Sequence, residues 1–125
     1  GRLERAGVGL VGPNEFEETL AEADIAVIGA GSTMWESAFL GVPAIAVIAA
    51  DNQVAPSWAA ERLGFVRTVE GRQGVPAIQV AAAVEQLLSD RHARSEMSSF
   101  GRQTVDGSGV DRVATAILAS LGGAR

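Results

Sequence analysis

Cysteine is absent from the 125 residues, which removes disulfides, thiol catalysis and thiolate metal sites together. Histidine occurs once, so an imidazole metal site or a Ser-His-Asp triad could form only around His92. Basic residues are few: ten Lys and Arg face fifteen Asp and Glu, for a net charge of −5. That balance supplies no basic face for a general nucleic-acid partner. Long apolar runs are missing too, none reaching the ~18 residues of a membrane span, and no signal-peptide pattern is present. A soluble, cytoplasmic domain is the expectation. Aromatics are scarce at 5%, whereas glycine occurs 15 times and alanine is abundant. Hydrophobic residues at 47% and charged residues at 20% fit a folded chain of one domain.

Strand and helix signals alternate along the chain. Val8–Val11 is expected to be a short buried strand, stopped by Gly12 and Pro13. Asn14 is placed to cap a helix running to about Ala23, with Glu15, Glu17 and Glu18 near its positive end. Ile25–Ile28 and Ala44–Ile48 are unbroken apolar runs, the pattern of strands covered on both faces. Between them a helix is predicted from Thr33 to about Leu40, stopped by Gly41 and Pro43. A second helix follows Gln53, carries Pro56 in its first turn and ends at Gly64. Phe65–Val69 is the next strand. Pro76 opens a helix with Ala77, Val80, Ala81, Val84, Leu87 and Leu88 on one face, and His92–Phe100 forms another. In the last helix Val110, Val113, Ala114, Ile117, Leu118 and Leu121 make the clearest periodic stripe of the chain. The fold class is therefore α/β, a Rossmann-like parallel sheet with helices on both faces. Residues 1–121 form the domain and 122–125 a frayed tail.

Ligands in open parallel sheets bind beyond the carboxyl ends of the strands. Gly29-Ala30-Gly31-Ser32-Thr33 and Ala49-Ala50-Asp51-Asn52-Gln53 occupy that position on consecutive strands, so they should lie side by side. The first loop runs into a helix N-terminus, where unpaired N–H groups and the helix dipole attract phosphate. Gly29 and Gly31 leave the backbone approachable, and Ser32 and Thr33 add hydroxyl donors. The bland reading of this loop is a tight turn with Ser32 or Thr33 as an ordinary cap. Glu36, three residues after Thr33, satisfies a capping-box pattern, but it also overhangs the same turn and suits a ribose's hydroxyls. Asp51, Asn52 and Gln53 either cap the following helix or meet a sugar's hydroxyls and amides. Trp35 and Trp58 are expected in the core and His92 on the surface. Ser108 is expected to cap the last helix, with Asp111 three residues on.

Rival readings fail on particular residues. The dinucleotide fingerprint wants a third glycine where Met34 stands, although Asp51 falls near the expected ~20-residue offset. Ser32 lacks the flanking glycines of a hydrolase nucleophile elbow. A non-catalytic α/β interaction module remains as an alternative of a different class.

Ala23–Glu36, Leu40–Pro43, Ala50–Gln53 and Asp106–Val113 together resemble the C-terminal half of GT-B-type nucleotide-sugar enzymes. Within that group the chain is most similar to the UDP-sugar hydrolase of pseudaminic acid synthesis, which acts on a UDP-linked diacetamido-trideoxy-altropyranose in bacterial surface-glycan synthesis. The peptidoglycan UDP-N-acetylglucosamine transferase is a close second. The resemblance implies a UDP-sugar as substrate with no other cofactor and no metal. Gly31, Ser32 and Thr33 would hold the diphosphate, Glu36 the ribose, and Asn52 and Gln53 the sugar or its phosphate. The backbone of Val8–Gly12 would lie near the uracil. No catalytic residue is assigned in this chain, because the hydrolase's histidine belongs to an N-terminal catalytic domain and His92 does not map onto it. The alternative within the resemblance is the donor-binding half of a UDP-sugar glycosyltransferase. It also implies two strand–helix units between the Val8 and Ile25 strands that the sequence does not contain. One GT-B half, incomplete and inactive alone, is thus the expectation, with an exposed sheet edge that invites a homodimer.

Overall fold

The computed structural model describes residues 1–123. Its elements run α1 (Arg2–Arg5), α2 (Phe16–Glu22), β1 (Ala26–Gly29), α3 (Thr33–Leu40), β2 (Ala44–Ile48), α4 (Val54–Arg62), β3 (Val66–Glu70), α5 (Ala77–Leu88), α6 (Arg91–Thr104) and α7 (Gly109–Gly123). The strands form a three-stranded parallel sheet in the order β1-β2-β3.

Alternation along the strands separates two cores. Ala26, Ala44, Ala46, Ile48 and Val66 point to one face, where α2, α3 and α4 bring Leu20, Met34, Ala38 and Ala60 against them. Ile45 points the other way and meets Leu87 of α5 and Met97 of α6. The central strand β2 is buried apart from Val47, as an unbroken apolar run requires when helices cover both faces. Small residues set the spacing on the first face. Ser57 and Ala60 are fully buried on α4, and the Ser57 hydroxyl donates to the Val54 carbonyl within its own helix. α6 runs from α5 to the far end of α3, where an added Cβ at Gly101 would stand 2.9 Å from the Ala38 carbonyl oxygen. α3 ends on Gly41, whose φ of 71° is the left-handed conformation glycine adopts without strain.

Several expectations are corrected. Val8–Val11 forms no strand, and all four residues are exposed. A strand needs a ladder partner, and among the described residues β1 pairs with β2 alone. Asn14 does not cap a helix: Pro13–Glu15 is a 3-10 turn, and the Gly12 N–H donates to the Glu15 carboxylate at 3.1 Å. Trp58 is 53% exposed on the flank of α4, and Trp35 is 37% exposed with its ring tilted against Phe65 at 5.6 Å. Neither indole is core, because the buried stripes of their helices are taken by smaller side chains. α7 forms as the periodicity requires, yet its stripe is uncovered, with Val110 81% exposed. The helix reaches Gly123, and the part of the expected frayed tail at 124–125 lies outside the described residues. His92 is a surface residue, as expected, and pairs with Glu96 one turn on.

Candidate functional site

β1 ends at Gly29 and α3 begins at Thr33, while β2 ends at Ile48 and a 3-10 turn, Asp51–Gln53, precedes α4. Both polar loops therefore emerge at the same carboxyl rim. They are joined through the sheet, since the Ala30 N–H donates to the Val47 carbonyl at 2.9 Å. They also meet through a side chain. Gln53 Oε1 accepts the Ala49 N–H at 2.8 Å, and Gln53 Nε2 stands 3.8 Å from the position a Cβ would take on Gly31.

Among the described residues, no side chain plugs the glycine loop. A Cβ built on Gly29 meets no atom within 4 Å, and one on Gly31 meets only that amide nitrogen. Ser32 has helical dihedrals and makes no capping hydrogen bond, so the ordinary-cap role is not the one it plays. The first turn closes through backbone alone, Met34 N–H to Gly31 and Trp35 N–H to Ser32. Met34 itself is 1% exposed, wedged between α3 and the sheet where the dinucleotide fingerprint would need a glycine. Glu36 is exposed one turn further along α3, and Asn52 is exposed on its turn.

The structure brings Gly29, Gly31, Ser32, Thr33 and Glu36 together on one helix entrance, with Asp51, Asn52 and Gln53 beside it. Asp51 does not cap α4 but pairs with Arg72, Nη1 to Oδ1 at 3.0 Å. Arg72 also grips Glu70 through Nε and Nη2 at 2.9 and 3.0 Å. These contacts, first the side-chain hydrogen bonds, hold the Glu70 carboxyl below its ordinary range and push the Arg72 guanidinium up. Sequence reasoning missed Arg72. Its partner stands 21 residues away, and only the parallel alignment of β2 and β3 closes that distance. The Val8–Gly12 segment, assigned to the uracil by resemblance, is exposed and irregular. Ser108 stands at the start of α7, where its carbonyl accepts the Arg112 N–H at 3.0 Å. There Asp106 accepts the Ser108 N–H at 3.0 Å and pairs with Arg112, and these two contacts, the Ser108 N–H first, hold its carboxyl low.

Comparisons with known proteins agree with this architecture. The chain is 27% identical over 108 residues to the spore coat polysaccharide biosynthesis protein SpsG of Bacillus subtilis (strain 168), covering 86% of this chain and 32% of that protein. A solved structure, the glycotransferase of kitacinnamycin, superposes with a TM-score of 0.66 at 26% identity over 92% of this chain and 32% of the other. The chain thus spans about a third of the length of each. No family model matches it. The α/β fold is that of one half of a GT-B-like glycosyltransferase, as the resemblance implied.

Proposed function

We propose that this chain is the nucleotide-sugar-binding part of an enzyme that transfers or hydrolyses a sugar carried on UDP, in the synthesis of a surface polysaccharide. The observation that carries the reading is the unobstructed Gly29–Thr33 turn lying against Gln53. The diphosphate sits at the entrance of α3, where amide N–H groups and two hydroxyls offer donors and the helix dipole offers positive potential. Glu36 takes the ribose hydroxyls, and Asn52 and Gln53 the glycosyl group. As the anomeric carbon is attacked, the bond to UDP breaks and charge grows on the leaving diphosphate. Donors preorganised at a helix entrance stabilise that charge more than they stabilise the bound substrate. Similarity to a polysaccharide biosynthesis protein and to a glycotransferase supports the sugar chemistry. Hydrolysis in the manner of the pseudaminic acid enzyme is the narrower version we favour. Transfer of the sugar to an acceptor is the second, favoured by the solved glycotransferase.

This chain supplies no base for the attack in our reading, so a catalytic domain must close over the rim. The surfaces left open suit such completion. β1 is an edge strand, Val27 on it is 50% exposed, and the α7 stripe is uncovered. At the other edge Glu61 accepts the Thr68 N–H and hydroxyl at 3.0 and 2.9 Å, which blunts β3 against pairing. A homodimer of the isolated chain would therefore form through β1.

Titration with UDP, followed by amide chemical shifts, tests the reading. Shifts confined to Gly29–Glu36 and Asp51–Gln53 support it. A chain that binds no UDP is an interaction module, and one that prefers NADH is a dinucleotide binder.

A further inference from the structure

Three strand ends are linked in series across the rim. The series starts at Gly71, where a Cβ would stand 2.6 Å from Val47 Cγ1 and 2.9 Å from the Ile48 carbonyl oxygen. Only glycine lets the chain fold over the end of β2 there, and its N–H donates to the Ile48 carbonyl at 2.8 Å. That approach delivers the next residue, Arg72, between two carboxylates. Glu70 accepts along one edge of the guanidinium, from Nε and Nη2, and Nη1 donates to Asp51 at 3.0 Å. Asp51 opens the turn that Gln53 closes, and the Gln53 amide lies between the Ala49 N–H and Gly31.

We infer that Arg72 is a positioning residue of the candidate site, fixing the Asp51–Gln53 turn so that the Gln53 amide faces the group bound at the glycine loop. The inference rests on the function proposed above and adds a residue to it. Arg72 does not serve as a phosphate anchor, because Glu70 and Asp51 already neutralise and occupy it. Its planar fork suits the task. Parallel N–H groups lock it onto Glu70 and leave one edge aimed at Asp51, an arrangement that the point charge of a lysine does not reproduce. Exposed single pairs contribute little to stability, but a bidentate grip with a third bond has defined geometry. The expected consequence is local: the turn loosens and the fold stays.

The test uses Arg72→Ala, Arg72→Lys, Asp51→Ala and the Arg72→Ala/Asp51→Ala double variant of the whole chain. Two readouts are taken. The first, without ligand, is the amide shift and hydrogen exchange of Gly31, Gln53 and Val54. The second is the ratio of affinities for UDP-N-acetylglucosamine and UDP. Arg72→Ala is expected to perturb the three amides and to lower the affinity ratio roughly tenfold, the loss of about one oriented hydrogen bond. UDP alone should bind within about twofold of wild type, since the entrance of α3 is untouched. Arg72→Lys should not rescue, and the double variant should be no worse than Arg72→Ala. Unchanged amides at Gly31 and Gln53 in Arg72→Ala overturn the inference, as does full rescue by lysine. A wild-type chain that binds neither nucleotide overturns the function reading instead, and the amide comparison then decides the positioning by itself.

Discussion

Replacing Gly31 by alanine separates ligand exclusion from misfolding. In the structure the new methyl would meet only Gln53 Nε2, at 3.8 Å, which is ordinary van der Waals contact. The residue has no positive φ, so backbone strain does not arise. Stability should therefore stay within about 0.5 kcal/mol of wild type, the usual range for a surface change. A diphosphate approaching the α3 amides would meet the methyl directly. Losing one hydrogen bond to a charged oxygen costs about 1.5–3 kcal/mol, which converts to roughly 10- to 150-fold in affinity. The assay is UDP titration by amide shifts, with a urea melt of the same sample. Wild-type UDP affinity in a folded Gly31→Ala chain would refute the placement of the diphosphate. A large loss of stability would instead refute the open shelf seen around Gly31.

Gly101→Ala behaves oppositely. Its Cβ would press on the Ala38 backbone at 2.9–3.0 Å, so an overpacking cost of about 1–3 kcal/mol outweighs the ~1 kcal/mol of helix propensity gained, and the urea midpoint should fall. Ile45→Ala empties the centre of the second core and should cost about 2–5 kcal/mol in the same melt. Asp106→Asn tests the depressed carboxyl at the start of α7. Because the folded state holds this group charged, its contribution is complete above the ordinary carboxylate pKa of about 4 and fades as pH falls through the lower folded value. The difference in melting between wild type and Asp106→Asn should accordingly be constant from about pH 5 upward and shrink in acid. Ile117→Asp, on the exposed stripe of α7, should change the melt of this chain by less than about 0.5 kcal/mol; a larger loss would mean the stripe is covered.

The sheet and its helices were legible because their signals are local. Ala44–Ile48 is apolar at every position and became the buried central strand. Thr33–Leu40 was bounded by a glycine loop and Gly41, and the structure ends the helix on that glycine in the left-handed conformation. The side-by-side placement of the two polar loops followed from one rule about parallel strands, and the Gln53–Gly31 approach agrees with it. What sequence could not supply was distance across the sheet. Arg72 looks like a solvated turn residue until the β2–β3 register brings Asp51 within reach. The tryptophans misled for a related reason. Helical spacing says which side chains share a face, but Ser57 and Ala60 decide how closely α4 lies on the sheet, and that closeness leaves Trp58 outside.

Two apolar segments are left uncovered for a shared physical reason. Val8–Val11 and the α7 stripe both carry apolar patterns, and both are exposed. An apolar pattern records what a segment buries in its working context, whereas a strand or a covered helix forms only where the partner is present. Edge β1 and the half-exposed Val27 lie on the same sheet that Val8–Val11 was expected to join. The glycine loop depends on no such cover, since a Cβ on Gly29 meets no atom within 4 Å and one on Gly31 meets only Gln53 Nε2. The diphosphate site we propose can therefore be tested on this chain by itself, independently of what supplies the base in the proposed reaction.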